Sequence, residues 1–222
     1  MINKVIEEVS KSNSLNILRN INEKILERKF HEHTYILYDL RTILGKENKN
    51  YLEIGSYIGS SSSLLLQHEY STNIYCVDPL NLKPNHYNGV LNQEETLKKN
   101  LNNNNIHNNH IKIYKNFSND KKLLTEIKDL KIDILFIDGC HKYQSVINDF
   151  NNYKDKVNKG GFIVFDDYLD YKYSSEVKKA VDFIVNNYDL KEFEIIGSIK
   201  NIQNGKIYYK ESKMNEFILY KK

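Results

Sequence analysis

Apolar residues along this chain recur in two rhythms, and the change from one to the other divides it. Over the first 48 residues, Val5, Ile6 and Val9, then Leu15, Ile17, Leu18 and Ile21, then Ile36, Leu37, Leu40, Ile43 and Leu44 recur at helical spacing. The polar stretch KENKN (46–50) ends that rhythm. Short, almost unalternated apolar runs follow: YLEIG (51–55), NIYCVD (73–78), IKIY (111–114), IDILFID (132–138) and FIVFDD (162–167). Such runs predict strands covered on both faces. The intervening SSSLLLQHEY, EETLKKNL, DKKLLTEI and YQSVINDFNNY are long enough for crossover helices, so the strands should run parallel. A last amphipathic helix, SSEVKKAVDFIVNNY, leads to FEIIGSI and EFILYKK, separated by a polar segment and expected to pair as an antiparallel hairpin at one edge. The tract LNNNNIHNNH fits a helix end and a loop before a strand.

The expected fold is α/β, a doubly wound and mainly parallel seven-stranded sheet with N-terminal helices and an antiparallel C-terminal hairpin. The length of 222 residues and the 40% hydrophobic content suit a single domain spanning 1–222, with 1–48 as a helical cap and 49–222 as the core. The 32 basic and 29 acidic residues form no concentrated block, which predicts a mixed solvated surface rather than a nucleic-acid face. No apolar run approaches the roughly 18 to 20 residues that span a bilayer. Cys76 and Cys140 read as lying in separate strands, and the polar start MINKVIEEVSKSNS carries no export signal, so a reducing, cytoplasmic setting is expected.

In sheets of this kind ligands bind beyond the carboxyl ends of the strands. The first such end, LEIGSYIGSSS, offers Glu53, then Gly55 and Ser56 in the turn, then Gly59 with Ser60 and Ser61 opening a helix. Glycines let the backbone approach a ligand, and an acid before the first of them suits an ammonium group. The segment is neither G-x-G-x-x-G nor a P-loop, which argues against a dinucleotide or a nucleoside triphosphate. Asp78 ends the second strand, where an acid can accept hydrogen bonds from ribose hydroxyls. The fourth strand ends in Asp138 and the fifth in Asp166 and Asp167. Carboxylates converging from neighbouring strands repel one another unless a cation, such as magnesium, neutralises them. His141, three residues past Asp138, brings a group able to accept a proton near neutral pH. Without a neighbour suited to acyl or disulfide chemistry, Cys140 is not expected to act as a nucleophile.

In order and spacing, LEIGSYIGSSS, IYCVDP, KNFS, ILFIDGCHKYQSVINDF, VNKGGFIVFDDY and VKKAVDFIV resemble the class I S-adenosylmethionine-dependent methyltransferases, and within them the macrocin-type branch that methylates sugars. The resemblance runs from about Tyr51 to Tyr188. It implies that Glu53, Gly55, Ser56, Gly59, Ser60 and Ser61 border the methionine end of S-adenosylmethionine, and that Asp78 binds its ribose. Phe117 and Ser118 would border the adenine, with Asp138 also lining the cofactor. Asp138, Asp166 and Asp167 would hold a divalent cation, with His141 or Asp138 removing the acceptor's proton. The acceptor implied is a sugar, nucleotide sugar or glycoside; His86 and Tyr87 are expected to line its pocket. The leading helices are expected to cap the site or to join copies of the chain. Two other readings of the same residues are a methyltransferase for a catechol-like phenol and a non-catalytic module that binds the cofactor.

Overall fold

The structure, a computed structural model, describes residues 1–22, 26, 32–82, 92–198, 202–203, 206–207 and 216–222. Two helices, α1 (Ile2–Lys11) and α2 (Ser14–Asn22), precede a short 3-10 turn and α3 (Ile36–Ile43). Strand and helix then alternate: β1 (Lys49–Ile54), α4 (Ser60–Leu66), β2 (Thr72–Val77), α5 (Gln93–Asn104), β3 (Ile111–Tyr114), α6 (Lys121–Glu126), β4 (Ile132–Ile137), α7 (Tyr143–Tyr153), β5 (Val157–Phe165) and α8 (Ser175–Asn187). The C-terminal part adds β6 (Phe193–Ser198), a two-stranded ladder of β7 (Ile202–Gln203) and β8 (Lys206–Ile207), and β9 (Phe217–Lys221).

The main sheet has seven strands in the order β3-β2-β1-β4-β5-β9-β6. β1 to β5 are parallel, and β9 runs antiparallel to both β5 and β6. The expected terminal pair therefore exists, with β9 as its inner strand and β6 at the edge. Chain order explains the shape: β1, β2 and β3 step outward one way, and β4 returns to the other side of β1. That reversal leaves a crevice between the carboxyl ends of β1 and β4, the usual ligand position in such sheets.

Consecutive strand residues face opposite layers, and both layers are apolar, which is why the strand sequences do not alternate. Tyr51, Cys76, Phe136 and Val164 pack with α3, α4 and α5 on one face, and Val5, Val9, Leu18 and Ile21 of α1 and α2 join that same core. Leu52, Val77, Leu135 and Phe165 pack with α6, α7 and α8 on the other. Local chemistry sets the helix starts: Asn92 caps α5 by accepting from the Glu95 N–H, and Asp120 caps α6 by accepting from the Leu123 N–H. At the amino ends of the strands, the buried Arg41 guanidinium ties α3 to the chain by donating to Thr72 Oγ1 and to the carbonyls of Gly45, Glu47 and Ser71. Among the described residues no helix is long and apolar enough to cross a membrane.

Candidate active site

Each parallel ladder runs one step past its strands. The Gly55 N–H donates to Val77 O (2.8 Å), Asp138 N–H to Ile54 O (2.9 Å), Asp166 N–H to Ile137 O (3.1 Å) and Asp78 N–H to Tyr114 O (3.1 Å). Asp78, Gly55, Asp138 and Asp166 therefore stand side by side along one rim of the sheet. Glu53, one strand period before Gly55, faces the same layer.

The turn after β1 is pressed against the end of β4. Gly55 has φ +90°, and a Cβ there would lie 2.1 Å from the Asp138 carbonyl oxygen, so only glycine fits. Gly59 also has a left-handed backbone, but its missing Cβ makes room for Leu97 and Leu101 of α5, at 2.7 Å and 3.1 Å. Its demonstrable contact is thus helix packing.

Glu53 is 1% exposed and accepts a hydrogen bond from the Ser62 hydroxyl of α4. Burial pushes its carboxyl up to about 7, against hydrogen bonds from Ser62 and Ser61. Ser56 is buried and donates to the Glu53 carbonyl at 3.3 Å, while Ser60, partly exposed, opens α4. The Cys76 thiol, buried behind Glu53, is pushed up to about 12 by desolvation and is no nucleophile.

Asp78 organises two loops at once. Its Oδ2 accepts from the Tyr57 N–H (2.8 Å), and its Oδ1 from the Leu80 N–H (2.7 Å) and Gln93 Nε2 (3.1 Å). Tyr57 and Leu80 both adopt left-handed backbone, with φ 47° and 49°, held by this one carboxylate. Desolvation raises its pKa from the ordinary value, and the same three donors oppose that rise.

Ser118 lies beyond β3 and donates to Asp149 Oδ1 at 2.6 Å, while the Tyr153 hydroxyl donates to the Ser118 carbonyl at 2.9 Å. Phe117 beside it is exposed. Asp149, on α7, is a buried acid that sequence reasoning missed, pushed up to about 6 by burial against the Ser118 bond. Its one signal was a carboxylate inside the apolar stripe of Val146, Ile147, Phe150 and Tyr153.

Beyond β4, the loop carries Asp138 and His141 toward the end of β5. His141 Nε2 lies 3.3 Å from Asp138 Oδ1, and its Nδ1 lies 2.8 Å from Ser174 Oγ and 3.5 Å from Asp167 Oδ2. Ligand atoms of Asp138, His141 and Asp167 lie within 4.8 Å of one another, a spread a single cation can bridge. Asp167, just past β5 with left-handed backbone (φ 56°), lies on the side of Ser174, which heads α8. Of the three expected carboxylates, Asp138 and Asp167 meet and the buried Asp166 is not in that group. Cys140 is exposed in the loop past β4 rather than within a strand. His86 and Tyr87 lie outside the described residues.

Residues 52–168 match a family model described as a methyltransferase domain. The chain is 43% identical to an uncharacterised protein of Acanthamoeba polyphaga mimivirus over 188 residues, which cover 82% of this chain and 81% of that one. Its fold is similar to that of the O-methyltransferase NovP, with a TM-score of 0.61 and 16% identity over 93% of this chain and 97% of that one. It is also similar to an O-methyltransferase from Bacillus cereus in complex with SAH, with a TM-score of 0.58 and 15% identity over 94% and 90% of the two chains. The chain belongs to the methyltransferase-domain family and is a class I S-adenosylmethionine-dependent methyltransferase.

Proposed function

We propose that this enzyme methylates a hydroxyl oxygen of a sugar or glycosylated small molecule, assisted by a divalent cation. The observation that carries the reading is the cluster of Asp138, His141 and Asp167 beside the Gly55 turn, where an oxygen nucleophile needs charge and a base. The two solved structures cited above are of O-methyltransferases, which accords with this chemistry.

The residues fit the cofactor. Gly55 and Ser56 present close backbone, Glu53 offers a buried carboxylate for an ammonium group, Asp78 stands where ribose hydroxyls are received, and Phe117 and Ser118 border the adenine position. S-adenosylmethionine supplies a methyl group made electrophilic by its sulfonium. The remaining work of the protein is alignment and proton removal. Asp138 and Asp167 provide the oxygen ligands that a hard divalent ion such as magnesium prefers. Such an ion would add positive charge that eases ionisation of a nearby hydroxyl. His141 then serves as general base through a ring nitrogen, and Asp138 lies within reach of the resulting imidazolium.

A catechol-like phenol is the second reading, and one observation favours it: the loop between Asp167 and Ser174 exposes Tyr171 and Tyr173, flat faces on which a planar ring can stack. Methyl transfer from labelled S-adenosylmethionine, screened over nucleotide sugars, glycosides and catechols with magnesium or chelator, tests both readings. Turnover of catechols alone would replace the sugar assignment. Absence of cofactor binding would overturn the whole reading.

A further inference from the structure

Gln93, the first residue of α5, spends its whole amide on the loops around the Gly55 turn. Its two Nε2 hydrogens go to Asp78 Oδ1 at 3.1 Å and to the Tyr57 carbonyl at 3.2 Å, and its Oε1 accepts from the Leu82 N–H at 3.2 Å. A backbone N–H can only donate and a backbone carbonyl can only accept, so the orientation of the amide is fixed. The side chain is 6% exposed, and swinging it away would break three bonds that water is poorly placed to replace.

The count at Asp78 follows from this. Each carboxylate oxygen has two lone pairs. Oδ1 gives one to the Leu80 N–H at 2.7 Å and the other to Gln93, so among the described residues it is already full. Oδ2 gives one to the Tyr57 N–H at 2.8 Å and keeps one. All three donors are N–H groups facing an acid, which leaves no choice of donor and acceptor. An acid that clasps two neighbouring hydroxyls, one on each oxygen, needs room on both. Asp78 has room on Oδ2 alone.

We infer that Gln93 is a positioning residue that sets how the cofactor is read: by filling Asp78 Oδ1 it leaves one ribose hydroxyl anchored, at Oδ2, and the other unread by this acid. This rests on the proposed seating of the S-adenosylmethionine ribose at Asp78, and adds how many hydroxyls the acid receives and which residue decides it. The cofactor site should therefore accept an analogue lacking one ribose hydroxyl and reject the analogue lacking the other.

Calorimetry with S-adenosylhomocysteine and its 2′-deoxy and 3′-deoxy forms tests this on the native chain. One deoxy form should bind about tenfold to a hundredfold more weakly than the parent, the scale of a lost hydrogen bond to a charged group, and the other within about threefold. Gln93→Met keeps an unbranched side chain, removes the amide and frees a lone pair on Oδ1. In that variant the tolerated deoxy form should also fall behind the parent, by about fivefold or more, because the second hydroxyl gains an acceptor. A Gln93 with a merely structural role would lower all three affinities in parallel. Equal losses for the two deoxy forms in the native chain, or native ratios in a folded Gln93→Met, overturn the inference and leave cofactor binding and the proposed function standing. The native series decides by itself if Gln93→Met does not fold. Tight binding of the parent with no loss for either deoxy form would move the ribose away from Asp78 and overturn the inference. No binding of the parent at all would overturn the proposed function with it.

Discussion

Replacing Glu53 with Gln removes a charge while leaving its shape and an acceptor for the Ser62 hydroxyl. In the native chain the carboxyl sits at about 7 because burial disfavours its ionised form. Such a group is about nine-tenths protonated near pH 6 and about three-quarters ionised near pH 7.5. Only the carboxylate attracts the ammonium group of S-adenosylmethionine, so binding should draw on the ionised fraction. The sign follows: the ligand favours loss of the proton, and affinity rises with pH until Glu53 is ionised. Between those two pH values the dissociation constant should fall roughly eightfold, a little over 1 kcal/mol. The window closes there because an α-amino group itself titrates near 7.7 to 8.0. Calorimetry in two buffers of different ionisation heat reads both the affinity and the proton, with release approaching one proton per site near pH 6. Glu53→Gln should bind with no such dependence. A native dissociation constant that stays flat across the window, without proton release, would refute the placement of the ammonium at Glu53.

Asp78→Ala leaves the Tyr57 and Leu80 N–H groups and Gln93 without their acceptor, so cofactor affinity should fall by about 1.5 to 3 kcal/mol, the scale of a charge-assisted bond; calorimetry showing unchanged affinity contradicts it. Excess chelator should abolish turnover, magnesium should restore it, and Asp167→Asn should imitate the chelator while cofactor binding persists; full activity in chelator would leave the carboxylates a structural role. His141→Ala should lower turnover by about 10² to 10⁴ with cofactor affinity unchanged, and a single-turnover measurement showing the native rate would move proton removal to Asp138. Gly55→Ala places a methyl group 2.1 Å from the Asp138 carbonyl oxygen, so the variant should lose cofactor binding and melt well below the native chain; a native melting curve would show that this contact is not tight.

The sheet was legible because its strands are buried on both faces and announce themselves as apolar runs. β5 was read late: it begins at Val157, but NKGG hides the start, and its pairing with β4 shifts register between Ile132 and Ile134. That β9 inserts between β5 and β6 was not legible, since a hairpin reads the same whichever strand lies inside. At the site, residues ending strands could be found because Glu53, Asp78 and Asp138 interrupt apolar runs. Asp167 was expected beside Asp166, yet which of the two meets His141 depends on the backbone just past β5 and on where the loop carries His141, which no residue pattern gives. Ser174 was hidden by its own plausibility, since a serine before a helix needs no further explanation.

The close approach of Gly55 to Asp138 also has a kinetic meaning. It belongs to the β1–β4 contact, which joins residues 51–54 to residues 134–137 across a long stretch of intervening chain. Closing so large a loop costs entropy before any contact repays it, and nonlocal pairings of this type are slow to form. The Gly55 turn can bond to Val77 and Asp78 of the preceding half, but it lacks the Asp138 carbonyl it is pressed against until β4 arrives. A fragment that stops before β4 should therefore carry most of the cofactor-facing residues and still bind no cofactor. Binding competence is a property of the closed sheet, gained together with its slowest pairing.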